Sequence, residues 1–272
     1  MGRATRACDA MSEPCDSGKA DLCIVAAVDV EFRIAADLLS GRSFSDEPRM
    51  KILRGLFGGR RVTILQSGMG AVGFFERLAK HLTNNRYEAL IVAGLAGGLD
   101  PKLRVGDAVL YDLCYDARSV DLWRRTAAYP EDLAAIATDE PLSGFLSGAL
   151  TRSGLPFVQA PGITAGRIIT DAKEKLALGA HYGAAAVDME TYEALSACAR
   201  FGLPAAALRV ISDEAGRDMP DFNRVYKADG RINGWRTFAA LAARPSAALR
   251  LLMTVRPALQ SLKATLQAAM GA

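Results

Sequence analysis

The hydrophobic and polar residues follow two different periods along the chain. Short apolar runs with the length of a buried strand occur at residues 22–28, 89–93, 108–113 and 205–211. Between these runs the apolar positions recur every three to four residues, as on one face of a helix, for example at 31–39 and 190–200. Such an alternation predicts an α/β fold: a single domain with a mostly parallel mixed sheet flanked by helices.

The remaining segments extend this pattern. A hairpin is predicted at 51–56 and 61–66, a helix from 71 to about 81, and strand segments at 157–169 and 184–187. Further helices are predicted at 139–153, 171–179, 235–243 and 246–269. Residues 93–99 form a glycine-rich run that is predicted to be a loop, and residues 114–131 show no clear period, which indicates an irregular excursion.

The two ends of the chain differ from the centre. Residues 1–21 are small, polar and charged, without the apolar stretch of a signal peptide, and are predicted to form a disordered tail. Residues 22–243 form the predicted domain, and residues 244–272 a C-terminal amphipathic helix. Its apolar face includes Leu262 and Leu266, while Arg256 and Lys263 lie off that face. This face packs on the sheet or on another subunit, or it lies on a membrane surface beside anionic head groups.

Composition narrows the class of protein. The net charge of +3 is spread along the chain, which argues against a nucleic-acid partner. The 5 cysteines are irregularly spaced and have no C-x-x-C pair, so neither disulfides nor a metal site is expected, and no cofactor is implied. These features are typical of a reduced cytoplasmic protein.

Three carboxylates follow predicted strands. Glu31 comes after the first strand, Glu190 after 184–187, and Asp213 after 205–211. Ligands of open α/β sheets bind at the carboxyl ends of the strands, so we expect these side chains to converge there. Each also has an ordinary explanation: Glu31 and Glu190 can begin helices, and Asp213 can cap a turn.

The motifs around these residues resemble one enzyme family. Segments 27–31, 67–70, 93–107, 187–190 and 211–213 are similar, in order and spacing, to those of the purine nucleoside phosphorylase and methylthioadenosine nucleosidase superfamily. The resemblance implies a three-layer α/β sandwich that cleaves a nucleoside, and a homodimer. It implies that Asp213 is the acid that protonates the departing purine, and that Glu31 activates water. The implied substrate-binding residues are Glu190, Met189, Ser212, Gly97, Ala96, Ile169 and Arg167.

The nucleophile stays open between water and phosphate. Phosphorolysis needs a cluster of arginines to bind the phosphate anion. The hydrolytic members of the family have a carboxylate in place of part of that cluster, so Glu31 favours hydrolysis. Arg33 and Arg167 are arginines of this kind, or they are ordinary surface residues. Leu95 also replaces a serine that these enzymes commonly carry.

A narrower resemblance covers the second half of the chain. Similarity to the hopanoid-biosynthesis-associated phosphorylase-like proteins is found in segments 164–170, 172–175, 186–190, 208–213, 217–220, 229–231 and 243–245 and in the final helix. This implies release of adenine from adenosylhopane. The alternatives are a methylthioadenosine or S-adenosylhomocysteine nucleosidase, a phosphate-dependent phosphorylase, and a non-catalytic nucleoside-binding protein. The presence of both Asp213 and Glu31 argues against the last. Met219 and Phe222 are expected near the 5′ side of the nucleoside.

Overall fold

The strands of the computed structural model build one mixed sheet. The structure describes residues 21–68, 70, 73–119, 129–130, 132–220, 223 and 245–271, and for residues 245–252 it describes the backbone alone. The strands are β1 (Leu22–Ala26), β2 (Ser40–Glu47), β3 (Met50–Phe57), β4 (Arg60–Gln66), β5 (Ala89–Gly98), β6 (Ala108–Ala117), β7 (Ala135–Ala137), β8 (Phe157–Ala165), β9 (Ala186–Asp188) and β10 (Ala205–Asp213).

Helices cover the sheet on its faces. They are α1 (Asp29–Ala36), α2 (Phe74–Asn84), α3 (Glu140–Arg152), α4 (Ala172–Tyr182), α5 (Thr191–Arg200) and α6 (Pro245–Gly271). Helices α1, α3 and α6 pack on one apolar cluster, α2 and α5 on a second, and α4 on a third. The predicted α/β domain with helices flanking a mixed sheet is confirmed.

Part of the sheet closes into a ring. Strands β4, β1, β5 and β10 are parallel neighbours. Strand β10 then pairs with β6, β6 with β8, and β8 with β9, and β9 returns to pair antiparallel with the end of β5. The carboxyl ends of β1, β5 and β10 therefore lie side by side, and the residues after β9 are directed back along β5.

The glycine-rich run is a strand rather than a loop, so that prediction was wrong. Gly97 and Gly98 extend β5 and pair with Val187 and Ala186 of β9, while Gly97 is also in register with Asp213. A Cβ atom on Gly98 would lie 3.0 Å from the Asp213 carbonyl oxygen. Glycine is required because two strands approach this end of β5 closely.

Two other predictions need correction. Residues Cys114–Ala117 belong to β6 rather than to an irregular excursion; a shift in the pairing of β6 with β8 after Tyr111 disturbs the alternation of the sequence. Strand β2 was not predicted, because it is a polar edge strand with almost every residue exposed. The predicted tail, apart from residue 21, and the predicted helix 235–243 lie outside the described residues, as does Phe222.

Helix α6 packs on the sheet. Leu262 and Leu266 are at most 2% exposed and lie in the same cluster as β5 and β10. Burial of two leucines stabilises the fold by roughly 3–6 kcal/mol. The apolar face that holds these leucines therefore cannot lie on a membrane, and the alternative of packing on the sheet is confirmed for it. Among the described helices, none has both the length and the apolar character needed to cross a bilayer.

Candidate active site

Glu31 is buried at the start of α1. Its Oε2 accepts hydrogen bonds from the backbone N–H groups of Ala27 (2.9 Å) and Val28 (3.1 Å). Its Oε1 accepts from the N–H of Leu95 in β5 at 2.7 Å. Burial raises the pKa of Glu31, while Arg209 and these N–H groups act in the opposite direction. The Glu31 carboxylate is thus fixed by two backbone N–H groups before α1 and by one N–H group of β5.

Arg209 is a buried cation beside Asp188 and Glu190. It is a residue of β10, 1% exposed, and is in register with Gly94. Its Nε lies 3.3 Å from Asp188 Oδ2, and its Nη2 lies 3.9 Å from Glu190 Oε2. A guanidinium is always charged, so this cation balances a group of buried carboxylates that would otherwise be too costly to ionise together.

Gly94 makes room for this arrangement, and its substitution gives a first testable prediction. A Cβ atom at Gly94 would lie 2.7 Å from Glu31 Oε1 and 2.8 Å from Arg209 Nη1. We expect Gly94→Ala to displace both side chains, to destabilise the protein by about 1–3 kcal/mol and to lower activity. Thermal unfolding and base-release assays measure these effects. The control is Gly216→Ala, because a Cβ there meets no atom within 4 Å. Equal behaviour of the two variants would contradict the prediction.

Asp188 fixes the backbone that carries Glu190. Asp188 Oδ1 accepts hydrogen bonds from the N–H groups of Glu190 (3.0 Å) and Thr191 (2.9 Å) and from Thr164 Oγ1 (3.0 Å). Glu190 Oε1 in turn accepts from the N–H of Gly70 at 2.9 Å. Burial raises the pKa of Glu190 to about 8; Arg209 opposes this rise, and Asp188 adds to it.

The raised pKa of Glu190 predicts how stability depends on pH. The pKa of the Glu190 carboxyl is about 8 in the folded state, and its ordinary value is 4.5. The protonated form of Glu190 is therefore the one that stabilises the folded state. That stabilisation is complete below pH 4.5 and is lost as the pH rises through 8. We therefore expect the free energy of unfolding of wild type to fall relative to that of Glu190→Gln across this interval, by on the order of a few kcal/mol in all. Urea unfolding at several pH values measures it; a constant difference between the two proteins would refute it.

Asp213 is the last residue of β10 and is held at both oxygens. Its Oδ1 accepts a hydrogen bond from Ser212 Oγ at 2.7 Å, and its Oδ2 forms an ion pair with the ammonium of Lys175. The carbonyl oxygen of Ala96 lies 3.1 Å from Ser212 Oγ and shares its single proton as the more distant acceptor. A Cβ atom on Gly97 would lie 3.4 Å from Asp213 Oδ2. The structure therefore brings Asp213, Ser212, Ala96 and Gly97 together.

Glu31 and Asp213 contact the same strand at neighbouring points. Glu31 binds the N–H of Leu95, and Asp213 lies against Gly97, two residues further on, or about 7 Å along the strand. Glu190 approaches from β9 on the Arg209 side. The predicted convergence of these three carboxylates at one edge of the sheet agrees with this geometry.

The other predicted residues take different positions. Met189 is partly buried, and its Cε would lie 3.5 Å from a Cβ on Gly70, on the Glu190 side of the site. Ile169 is 2% exposed and packs in the cluster of α4. Arg167 forms an ion pair with Glu174 in the first turn of α4. The N–H of Met219 donates to the Thr170 carbonyl oxygen at 2.9 Å.

Sequence reasoning assigned no role to Arg209 or Lys175. A signal existed for each: Arg209 is the one charged residue in the apolar run 205–211, and Lys175 lies three residues before the buried Leu178 on the same face of α4. A charged residue at a core position of a strand or helix indicates a buried ionic partner. Here the partners are the site carboxylates themselves.

This arrangement suits the cleavage of an N-glycosidic bond. Asp213 can donate a proton to a leaving base, Glu31 can accept one from a nucleophile, and the carboxyl oxygens of Glu190 can accept from sugar hydroxyls. These are the groups that a nucleoside-cleaving enzyme of an α/β fold requires. Among the described residues no cluster of histidine, cysteine and carboxylate side chains is arranged to hold a metal ion.

Comparison with known proteins identifies the family. The model of the phosphorylase superfamily matches residues 21–243, and the chain belongs to this superfamily. The chain is 33% identical over 228 residues to a futalosine hydrolase of Thermus thermophilus, which covers 81% of this chain and 92% of that protein. It is 32% identical over 178 residues to a 5′-methylthioadenosine/S-adenosylhomocysteine nucleosidase of a Marinomonas species, covering 63% of this chain and 76% of the relative.

Solved structures share the fold. A 5′-methylthioadenosine/S-adenosylhomocysteine nucleosidase from Neisseria meningitidis, in complex with methylthio-immucillin-A, superposes with a TM-score of 0.69 at 19% identity, covering 92% of this chain and 98% of that one. A futalosine hydrolase of Helicobacter pylori gives a TM-score of 0.66 at 18% identity, with the same coverage of each chain. The relatives are nucleosidases and hydrolases, so the predicted enzyme class, one that cleaves N-glycosidic bonds, is confirmed.

Proposed function

We propose that this enzyme hydrolyses the N-glycosidic bond of a 5′-substituted adenosine and releases adenine. The observation that carries the proposal is the buried Glu31 carboxylate, fixed by the N–H groups of Ala27 and Val28 and by the N–H of Leu95 on β5, the strand that also faces Asp213. A base for water and an acid for the purine then lie at neighbouring points of one strand. Both are needed because charge develops at the anomeric carbon and on the departing base together.

Each carboxylate has a separate task in this reaction. As the bond between N9 and the anomeric carbon breaks, its electron pair moves to the purine, and Asp213 protonates N7. Glu31 accepts a proton from the water that attacks the anomeric carbon. Glu190 accepts hydrogen bonds from the 2′- and 3′-hydroxyls, and Met189 packs on the sugar. The Ser212 hydroxyl and the backbone at Ala96 and Gly97 keep Asp213 oriented.

The positions of the arginines favour water over phosphate. Arg33 is exposed and lies two residues after the buried Glu31 on α1, about 200° around the helix. Arg167 is engaged by Glu174. The Arg209 guanidinium forms ion pairs with Asp188 and Glu190 and donates a hydrogen bond to Thr191 Oγ1. No cluster of arginines within the described part of the chain is therefore directed at Glu31.

For the substrate we propose adenosylhopane, which the second half of the chain implies by its resemblance to hopanoid-associated proteins. A second candidate is futalosine, favoured by the 33% identity to the Thermus hydrolase over 92% of its length. A third is methylthioadenosine, favoured by the Marinomonas relative. All three use the same acid, base and sugar contacts, and they differ in the group beyond the 5′ carbon or in the base.

A substrate panel tests this choice. Purified full-length protein is incubated separately with adenosylhopane, methylthioadenosine, S-adenosylhomocysteine and futalosine, and the free base is measured by chromatography. We expect kcat/KM to be highest for adenosylhopane. A higher value for methylthioadenosine or futalosine would overturn the hopanoid specificity but not the proposed nucleosidase activity.

The oligomeric state is a separate proposal: we propose that the enzyme is a homodimer. Light scattering of the same preparation tests it, and the mass of a single chain would contradict it.

A further inference from the structure

Lys175 is a buried cation whose environment is unusual for a lysine. Its side chain is 0% exposed. Removing an ammonium from water costs several kcal/mol unless it is paired and hydrogen-bonded. The ammonium pairs with Asp213 Oδ2 and donates to the carbonyl oxygens of Arg217 (3.3 Å) and Glu214 (3.4 Å). These contacts use the three donors that an ammonium possesses.

The charge of Lys175 is matched to Asp213 rather than to other acids nearby. The neighbouring carboxylates of α4 and of the loop after β10 have their own partners: Glu174 pairs with Arg167, Glu214 with Arg104 and Arg217, and Asp171 caps the N–H of Glu174. Glu174 and Glu214 are thereby balanced by arginines. Lys175 and Asp213 form a separate buried pair, with side-chain exposures of 0% and 10%.

We propose that Lys175 is a positioning residue for the acid step, and that it supplies the proton that Asp213 passes to the purine. The proposal rests on the function proposed above. As the bond to the base breaks, the Asp213 carboxylate takes a proton at Oδ2 from the Lys175 ammonium and passes it to N7, so that Asp213 ends the step as a carboxylate again. Lys175 is left as a neutral amine and recovers its proton from water after the products leave. No other reactant is needed.

The contacts of Asp213 explain why its orientation depends on Lys175. Ser212 Oγ holds Oδ1 at 2.7 Å, and Lys175 holds Oδ2, so the carboxyl group cannot rotate without losing a charge-assisted hydrogen bond. Without Lys175, the second oxygen of a carboxylate would be buried with no cation beside it. A neutral residue at position 175 therefore disturbs both the direction of Asp213 and its supply of protons.

A leaving group that needs no proton separates this role from simple structural support. We use a 4-nitrophenyl riboside that carries the 5′ substituent of the best substrate of the panel. Its leaving group departs as 4-nitrophenolate, which is stable without protonation. We expect Lys175→Met to lower kcat for purine release by about 10²-fold or more, the usual contribution of an acid, and to change nitrophenol release less than about 5-fold. The matched control is Lys173→Met, an exposed lysine of the same helix, with both rates near wild type.

A second variant guards against loss of folding. Lys175→Gln can still donate to the carbonyl oxygens of Glu214 and Arg217 but carries no charge, and we expect it to show the same selective loss as Lys175→Met. Equal slowing of both substrates, or unchanged purine release, would overturn the role of Lys175. If wild type releases no purine from any nucleoside of the panel but cleaves the nitrophenyl riboside, the proposed function itself fails.

Discussion

Replacement of Asp213 by asparagine is expected to lower kcat for base release by two or more orders of magnitude. An amide has the shape of the carboxyl group but cannot protonate N7, and general acids commonly contribute about 10²–10⁴-fold. KM should change little, because the proposed sugar contacts of Glu190 and Met189 are left unchanged. Steady-state kinetics with the best substrate of the panel measures both constants.

The control for Asp213→Asn is Asp112→Asn, an exposed aspartate of β6. It makes the same chemical change away from the site, and we expect wild-type kinetics. The variant Asp213→Asn also removes the partner of Lys175, so its unfolding must be compared with that of wild type to show that the site is still folded. Near-normal turnover in folded Asp213→Asn would refute its assignment as the acid.

Replacement of Glu31 by glutamine is expected to lower kcat/KM by about 10²–10⁴-fold, because water then lacks its general base. The amide also cannot accept at both positions: its nitrogen would face either the Leu95 N–H or the N–H groups of Ala27 and Val28. Some loss of stability therefore accompanies the loss of activity. Parallel assays of turnover and thermal unfolding separate the two effects.

Phosphate distinguishes the two nucleophiles in the same variant. If water is the nucleophile, added phosphate leaves the rates of both wild type and Glu31→Gln unchanged. The variant Glu140→Gln, an exposed residue in the first turn of α3, provides the matched control. Activity of Glu31→Gln that returns only with phosphate would identify a phosphorylase, and would contradict the hydrolytic role of Glu31.

Much of the architecture follows from the period of the sequence. The buried strands β1 and β10 and the helices α3 to α5 were predicted to within a few residues, because their apolar positions keep one period. The ring of strands could not be predicted. It depends on β9, which has only three residues, and on the shift in β6 after Tyr111, and such long-range pairings leave no local period.

In the site, too, the local features could be predicted from the sequence and the long-range contacts could not. Glu31, Glu190 and Asp213 were predicted because each follows a strand, and position relative to a strand end is a local property. The links between them are not local. Arg209 meets Glu190 only because β9 returns antiparallel along β5, and Lys175 meets Asp213 only because the fold places α4 beside the last residue of β10. Only the folded chain shows which buried cation belongs to which acid.

Isotope labelling tests the central claim of glycosidic hydrolysis most directly. Purified protein is incubated with its best 5′-substituted adenosine in H₂¹⁸O, without phosphate, and the products are analysed by mass spectrometry. The mechanism predicts one adenine released per sugar, with ¹⁸O incorporated at the anomeric carbon before exchange with solvent. Absence of base release, or release only with phosphate and formation of a sugar 1-phosphate, would contradict it.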